Sequence, residues 1–250
     1  MGCVIAMAGK GGTGKTTIAA LLVRIIRENK PGSILAVDAD PNSNLAEVLG
    51  VEAKENIGCI VDEIGAHPEI VPVNMGKDAF IEYRVQTAIV ESDGFDILTM
   101  GRPEGPGCYC YVNNALRNVM EKLINDYDFV IIDNEAGLEH LSRRTTRRAD
   151  SLVVISDPSC VGLRAAKRIA ELTRELKIKI KNEFIIINRN DEALGTDKIN
   201  GLKLDYLGSL PKDPEIESLS RRGESLMNLG NENITLNALR KLGEKIWLCN

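Results

Sequence analysis

The chain has 250 residues, 44% hydrophobic and 27% charged, and 31 Lys and Arg against 36 Asp and Glu give a formal net charge of −5. That balance excludes collagen, coiled coil and wholesale disorder, and the mild acidity argues against a general nucleic-acid coat. No apolar run reaches the ~20 residues of a membrane-spanning helix. The apolar stretch Cys3 to Ala8 runs straight into Gly9-Lys10-Gly11, so it does not read as a signal peptide. The expected location is the cytoplasm, with no membrane and no nucleic acid as partner. In that reducing compartment the six cysteines are read as thiols rather than disulfides.

In chain order, candidate strands are Cys3–Ala8, Ile34–Asp38, Phe95–Thr99, Phe129–Asp133, Leu152–Ser156, Phe184–Asn188 and Tyr206–Ser209. Most are apolar on both faces, as strands of a parallel sheet covered by helices are. Between them, Ile18/Leu21/Leu22/Ile25, Ala115/Leu116/Val119/Leu123, Leu163/Ala166/Ala170/Thr173 and Leu236/Leu239/Leu242/Ile246 recur with helical period. Asp213-Pro214 reads as an N-cap followed by Pro at the first helical position. The unbroken βαβα rhythm predicts one α/β domain over residues 1–250, doubly wound, with a mostly parallel sheet of about seven or eight strands flanked by helices. Val51–Asp93 is the least regular stretch and reads as helical insertions.

Gly9-Lys10-Gly11-Gly12-Thr13-Gly14-Lys15-Thr16 follows the first strand and opens the first helix. It matches the phosphate-loop pattern G-x-x-x-x-G-K-[ST] in the context that pattern requires. Glycines let backbone amides turn inward around phosphate oxygens. Lys15 then reaches the β- and γ-phosphates, and Thr16 offers its hydroxyl to Mg²⁺; Gly9 to Thr17 form the nucleotide-binding segment. Lys10 is not needed to cradle phosphate within one chain, and a solvated loop lysine is its plain alternative.

Two carboxylates, Asp38 and Asp40, end the second strand, and Asp133 ends the fourth. Parallel sheets place ligands at that edge, although an Asp ending a strand is also an ordinary cap or turn residue. Cys108-Tyr109-Cys110 lies in a Gly- and Pro-rich loop. In an extended segment the i and i+2 sulfurs point the same way. Two thiolates do not complete a tetrahedral site, but a two-fold axis would supply the other pair, giving Cys₄ for Zn²⁺ or another thiophilic metal. Two small buried cysteines are the alternative, and that reading suits Cys3, Cys59, Cys160 and Cys249. Arg143, Arg144, Arg147 and Arg148 form two i,i+4 pairs on an expected helix, a docking patch or a solvated face.

Lys-Gly-Gly-x-Gly-Lys-Thr-Thr resembles the deviant phosphate loop of the partition and septum-site ATPases and of the nitrogenase iron protein. The resemblance implies ATP rather than GTP, which the residues alone do not separate. It implies a catalytic Lys10 that crosses a two-fold interface onto the partner's nucleotide, like an arginine finger in trans. Asp38-Ala39-Asp40 then resembles switch I, with Asp40 orienting the attacking water and Asp38 near the magnesium shell. Phe129 to Gly137 resembles a Walker B strand entering switch II, with Asp133 holding Mg²⁺ through water. Asn188 resembles a purine-bonding Asn, and Leu210 to Pro214, with Pro211 and Asp213, a loop closing over adenine.

Gly101 to Cys110, together with Gly137-Leu138-Glu139-His140, is similar to the CooC-type nickel-insertion ATPases that mature carbon monoxide dehydrogenase and acetyl-CoA synthase. That resemblance implies a nucleotide- and metal-dependent homodimer holding Ni²⁺ or Zn²⁺ at Cys108 and Cys110, with one of those nickel enzymes as client. Two other functions remain open: an iron–sulfur carrier or electron-donating ATPase with a bridging cluster, since such clusters also use Cys₄, and a partition or positioning ATPase.

Overall fold

The computed structural model describes residues 2–29, 31–40, 42–53, 55–101, 110–135, 148–191 and 197–247. Eight strands form one sheet: β1 (Cys3–Gly9), β2 (Ile34–Ala39), β3 (Val90–Ser92), β4 (Phe95–Thr99), β5 (Phe129–Asn134), β6 (Arg148–Ser156), β7 (Lys179–Ile187) and β8 (Asp205–Ser209). Their order is β3-β4-β2-β5-β1-β6-β7-β8. Every pairing is parallel except β3 with β4.

The described helices are α1 (Lys15–Asn29), α2 (Leu45–Leu49), α3 (Ile57–Ala66), α4 (Lys77–Ala88), α5 (Cys110–Asp126), α6 (Cys160–Glu175), α7 (Asp197–Asn200), α8 (Pro214–Arg222) and α9 (Ile234–Gly243). They cover both faces. β1 is buried along its whole length, and its alternation sends Val4, Ala6 and Ala8 to one face and Ile5 and Met7 to the other. The first face packs against α3, α4, α5 and α6 through Ile60, Phe80, Leu116, Met120 and Ile169. The second packs against α1, α2, α8 and α9 through Leu22, Ile25, Leu45, Leu219 and Leu236.

Several sequence expectations change here. Val51–Asp93 does hold helices α3 and α4 but closes with β3, an antiparallel edge strand turned back onto β4 at Asp93-Gly94, where Gly94 has φ 80°. β6 and β7 start earlier than their apolar runs, because the first half of β7 alternates between exposed and half-buried residues. Arg148 opens β6 instead of continuing a helix, and bonds Asn125 Oδ1 at 2.9 Å; Arg143, Arg144 and Arg147 lie outside the described residues. Cys59 and Cys160 are exposed free thiols rather than buried hydrophobes, since each sits on the outer side of its helix. Cys3 is disulfide-bonded, against the expectation of a thiol. No described helix is long and apolar enough to cross a membrane.

Candidate nucleotide site

β1 ends on Gly9, whose φ is 153°, and an added Cβ there would lie 2.2 Å from the Ile155 carbonyl oxygen. Only glycine lets the chain turn off the sheet at this point. The loop then folds around the Lys10 carbonyl, which accepts from Thr13 N at 3.4 Å, Thr13 Oγ1 at 2.9 Å and Lys15 Nζ at 3.3 Å. Lys15 is the first residue of α1 and is buried, whereas Lys10 is exposed. Burial lowers the Lys15 pKa, opposed by the carboxylates of Asp133, Asp40 and Glu135. A buried ammonium at a helix N-terminus beside a glycine loop suits phosphate.

Asp38 and Asp133 flank this loop from the ends of β2 and β5. Asp38 is fully buried, its Oδ2 accepting from Leu45 N at 2.8 Å and its Oδ1 from Asp40 N at 3.2 Å. Burial pushes its pKa up to about 7, with Asp133 adding to the rise. Asp133 is equally deep, and neither of its carboxylate oxygens has a well-directed hydrogen bond. Burial raises its pKa to about 6, offset in part by the neighbouring Thr16 hydroxyl and the Lys15 ammonium. Two orphaned buried carboxylate oxygens beside a threonine hydroxyl suit a hard cation, which takes oxygen ligands. Mg²⁺ therefore fits here, with Asp133 and Thr16 better placed to hold it than Asp38, whose oxygens already accept backbone N–H groups. When bound, Mg²⁺ would neutralise charge on the β- and γ-phosphates. Asp40 is half-buried, and its Oδ1 accepts from both Asn42 N and Asn42 Nδ2 at 2.9 Å.

Beside the loop is a cavity of about 340 Å³ lined by Thr17, Asn188, Arg189, Pro211, Asp213 and Thr235, among others. Asn188 does not point its amide freely into it: Nδ2 donates to Thr13 O at 2.8 Å, and Oδ1 accepts from Arg189 N at 3.0 Å. Asp213 is the N-cap of α8, its Oδ1 accepting from Glu215 N and Ile216 N. The structure thus draws together Gly9 to Thr17, Asp38, Asp40, Asp133, Asn188, Pro211 and Asp213. Arg189, which the sequence reading did not single out as a site residue, joins them. Cys108 lies outside the described residues, as do Gly137 and His140, and Cys110 is the first residue of α5. Among the described residues no cluster of three His, Cys, Asp or Glu is arranged to hold a metal.

A parallel sheet with a glycine loop between β1 and α1, and carboxylates ending the neighbouring strands, defines a P-loop nucleotide-binding protein. The chain belongs to the CobQ/CobB/MinD/ParA nucleotide-binding family, whose model matches residues 4–226. It is 43% identical over 248 residues to an ATP-binding protein of Methanocaldococcus jannaschii, covering 97% of this chain and 98% of that one. It is 30% identical over 241 residues to the carbon monoxide dehydrogenase accessory protein CooC of Rhodospirillum rubrum, covering 90% and 89%. Among solved structures it is similar to the septum site-determining protein MinD of Pyrococcus horikoshii complexed with Mg-ADP, with a TM-score of 0.70, 22% identity and coverage of 98% and 96%. The protein is an ATPase of this family.

Proposed function

We propose that this ATPase is a metallochaperone. As a homodimer it would hold a thiophilic ion between subunits at Cys108 and Cys110 and, on ATP hydrolysis, deliver nickel to a carbon monoxide dehydrogenase or acetyl-CoA synthase cluster. The observation that carries this reading is the likeness to the accessory protein CooC along nine-tenths of the chain, in a sequence that also holds the Cys-x-Cys pair.

Coupling would run through α5 and β5. α5 begins at Cys110 and leads through a short turn into β5, which ends beside Asp133. A helix that returns antiparallel to the strand it feeds starts at the edge where that strand finishes. Cys110 and Asp133 thus belong to the two ends of one helix–strand unit. Rearrangement around the γ-phosphate would move that unit and loosen the shared thiolates, and by linkage the metal would alter nucleotide affinity by the same factor.

The test is metal-to-protein stoichiometry alongside molecular mass in solution, on anaerobically purified protein with and without nucleotide. One Zn²⁺ or Ni²⁺ per dimer is expected, lost in the Cys108→Ala/Cys110→Ala double variant while ATP binding persists. One ion on a monomer, or unchanged metal binding in that variant, would sink the reading. A brown, air-sensitive protein would replace it with an iron–sulfur carrier, and nucleotide-dependent sedimentation with liposomes would replace it with a positioning ATPase.

A further inference from the structure

Arg189 follows β7 directly and holds a left-handed backbone, φ 56°, that residues with a Cβ rarely adopt. Its exposed guanidinium reaches back across the chain, Nη1 donating to Gly12 O at 3.1 Å. Its neighbour Asn188 donates to the next carbonyl of the same loop, Thr13 O, at 2.8 Å. Two consecutive residues at one strand end therefore grip two consecutive peptide oxygens of the phosphate loop.

The consequence follows from peptide geometry. In a trans peptide the C=O and the following N–H point in opposite directions, and the described residues contain no cis peptide. Fixing Gly12 O towards β7 turns Thr13 N–H away from it, and fixing Thr13 O does the same for Gly14 N–H. Thr13 N–H in fact points at the Lys10 carbonyl across the loop. That carbonyl collects the donors Thr13 N, Thr13 Oγ1 and Lys15 Nζ. A phosphate oxygen, being ionised, is a stronger acceptor for them than a neutral carbonyl.

We infer that Arg189 is a positioning residue for phosphate binding: with Asn188 it sets the peptide planes so that Thr13 and Gly14 present their N–H groups to the phosphates. The left-handed backbone aims the side chain back over the loop. Such outliers persist where the surrounding structure holds them for use.

Binding of pyrophosphate, ADP and adenosine by calorimetry, with thermal melts, tests this on the full chain. Arg189→Gly keeps the positive φ without strain and removes only the side chain. It should melt within a few degrees of wild type, bind pyrophosphate and ADP roughly three- to ten-fold more weakly, and bind adenosine as before. Arg189→Lys, which keeps a donor without the planar fork, should recover part of the loss. Unchanged pyrophosphate affinity in Arg189→Gly would overturn the inference. So would parallel losses of pyrophosphate, adenosine and melting temperature, which would mark Arg189 as merely structural.

Discussion

Asp38 and Asp133 stand opposite each other in register at the C-terminal ends of β2 and β5, both buried. Each has its pKa raised from the ordinary 3.8, to about 7 and about 6 respectively, chiefly by loss of solvent. Between about pH 4 and pH 7 these two carboxyls therefore hold more protons in the folded chain than in the unfolded one, so their contribution to stability falls as pH rises through that window. For Asp133 alone the penalty above pH 7 is roughly 3 kcal/mol. The nucleotide-free protein should melt lower at pH 8 than at pH 5, and Mg-ADP should stabilise it more at pH 8. Asp133→Asn should flatten the free-protein profile. A free protein equally stable at both pH values would contradict this account.

Lys15 and Lys10 belong to one loop but should separate by function. Lys15 is buried beside Asp133, while Lys10 is exposed and gives the loop only its carbonyl. Lys15→Ala deletes the charge partner of the phosphates and should weaken ATP binding at least roughly ten-fold. Lys10→Ala should keep ATP binding within about two-fold but slow turnover and nucleotide-dependent dimerisation. Titration and sedimentation on both variants check this. Equal losses of binding in the two would remove any separate role for Lys10.

The parts legible in the sequence were those written in continuous segments. β1, the phosphate loop and α1 form one stretch, and the doubly buried strands show as unbroken apolar runs, so Asp38 and Asp133 could be placed at strand ends. Val90–Ser92 was not legible, because three partly exposed residues at a sheet edge make no apolar run. The loop contacts of Asn188 and Arg189 were hidden for another reason. Their partners Thr13 and Gly12 lie 175 and 177 positions away, and no local pattern records a bond made to a backbone carbonyl.

Arg24 ties α1 to the segment after α8 and should be a point of structural weakness. It is buried, and Nη1 donates to Leu229 O at 2.6 Å and Leu226 O at 3.2 Å, while Nη2 donates to Asn231 Oδ1 and Nε to Glu28. Arg24→Ala strands the buried Leu226 and Leu229 carbonyls and should cost about 3 kcal/mol. Arg24→Lys should recover little, since an ammonium cannot span the fork. Denaturant unfolding measures both, and an Arg24→Lys variant as stable as wild type would refute the fork argument.

Asp40 should separate binding from hydrolysis. It is half-buried at the end of β2, next to the phosphate loop but not in it, and near enough to Lys15 to favour its charged form. Its Oδ1 holds Asn42 through two hydrogen bonds, leaving Oδ2 as the oxygen available to a water. Asp40→Asn keeps the size, and its amide oxygen can still accept from Asn42, so the local turn should survive. What it loses is a carboxylate able to orient or deprotonate the attacking water, a role worth on the order of 10² to 10⁴ in rate. ATP affinity should stay within about two-fold while hydrolysis falls by roughly 100-fold or more. The bound ATP would then persist and accumulate the proposed homodimer, visible by light scattering. Asp38→Asn should behave differently, because each oxygen of Asp38 accepts a backbone N–H and an amide cannot accept with both ends; its loss should appear in melting temperature as well as in turnover. Wild-type hydrolysis in Asp40→Asn would move the water-positioning role to another group.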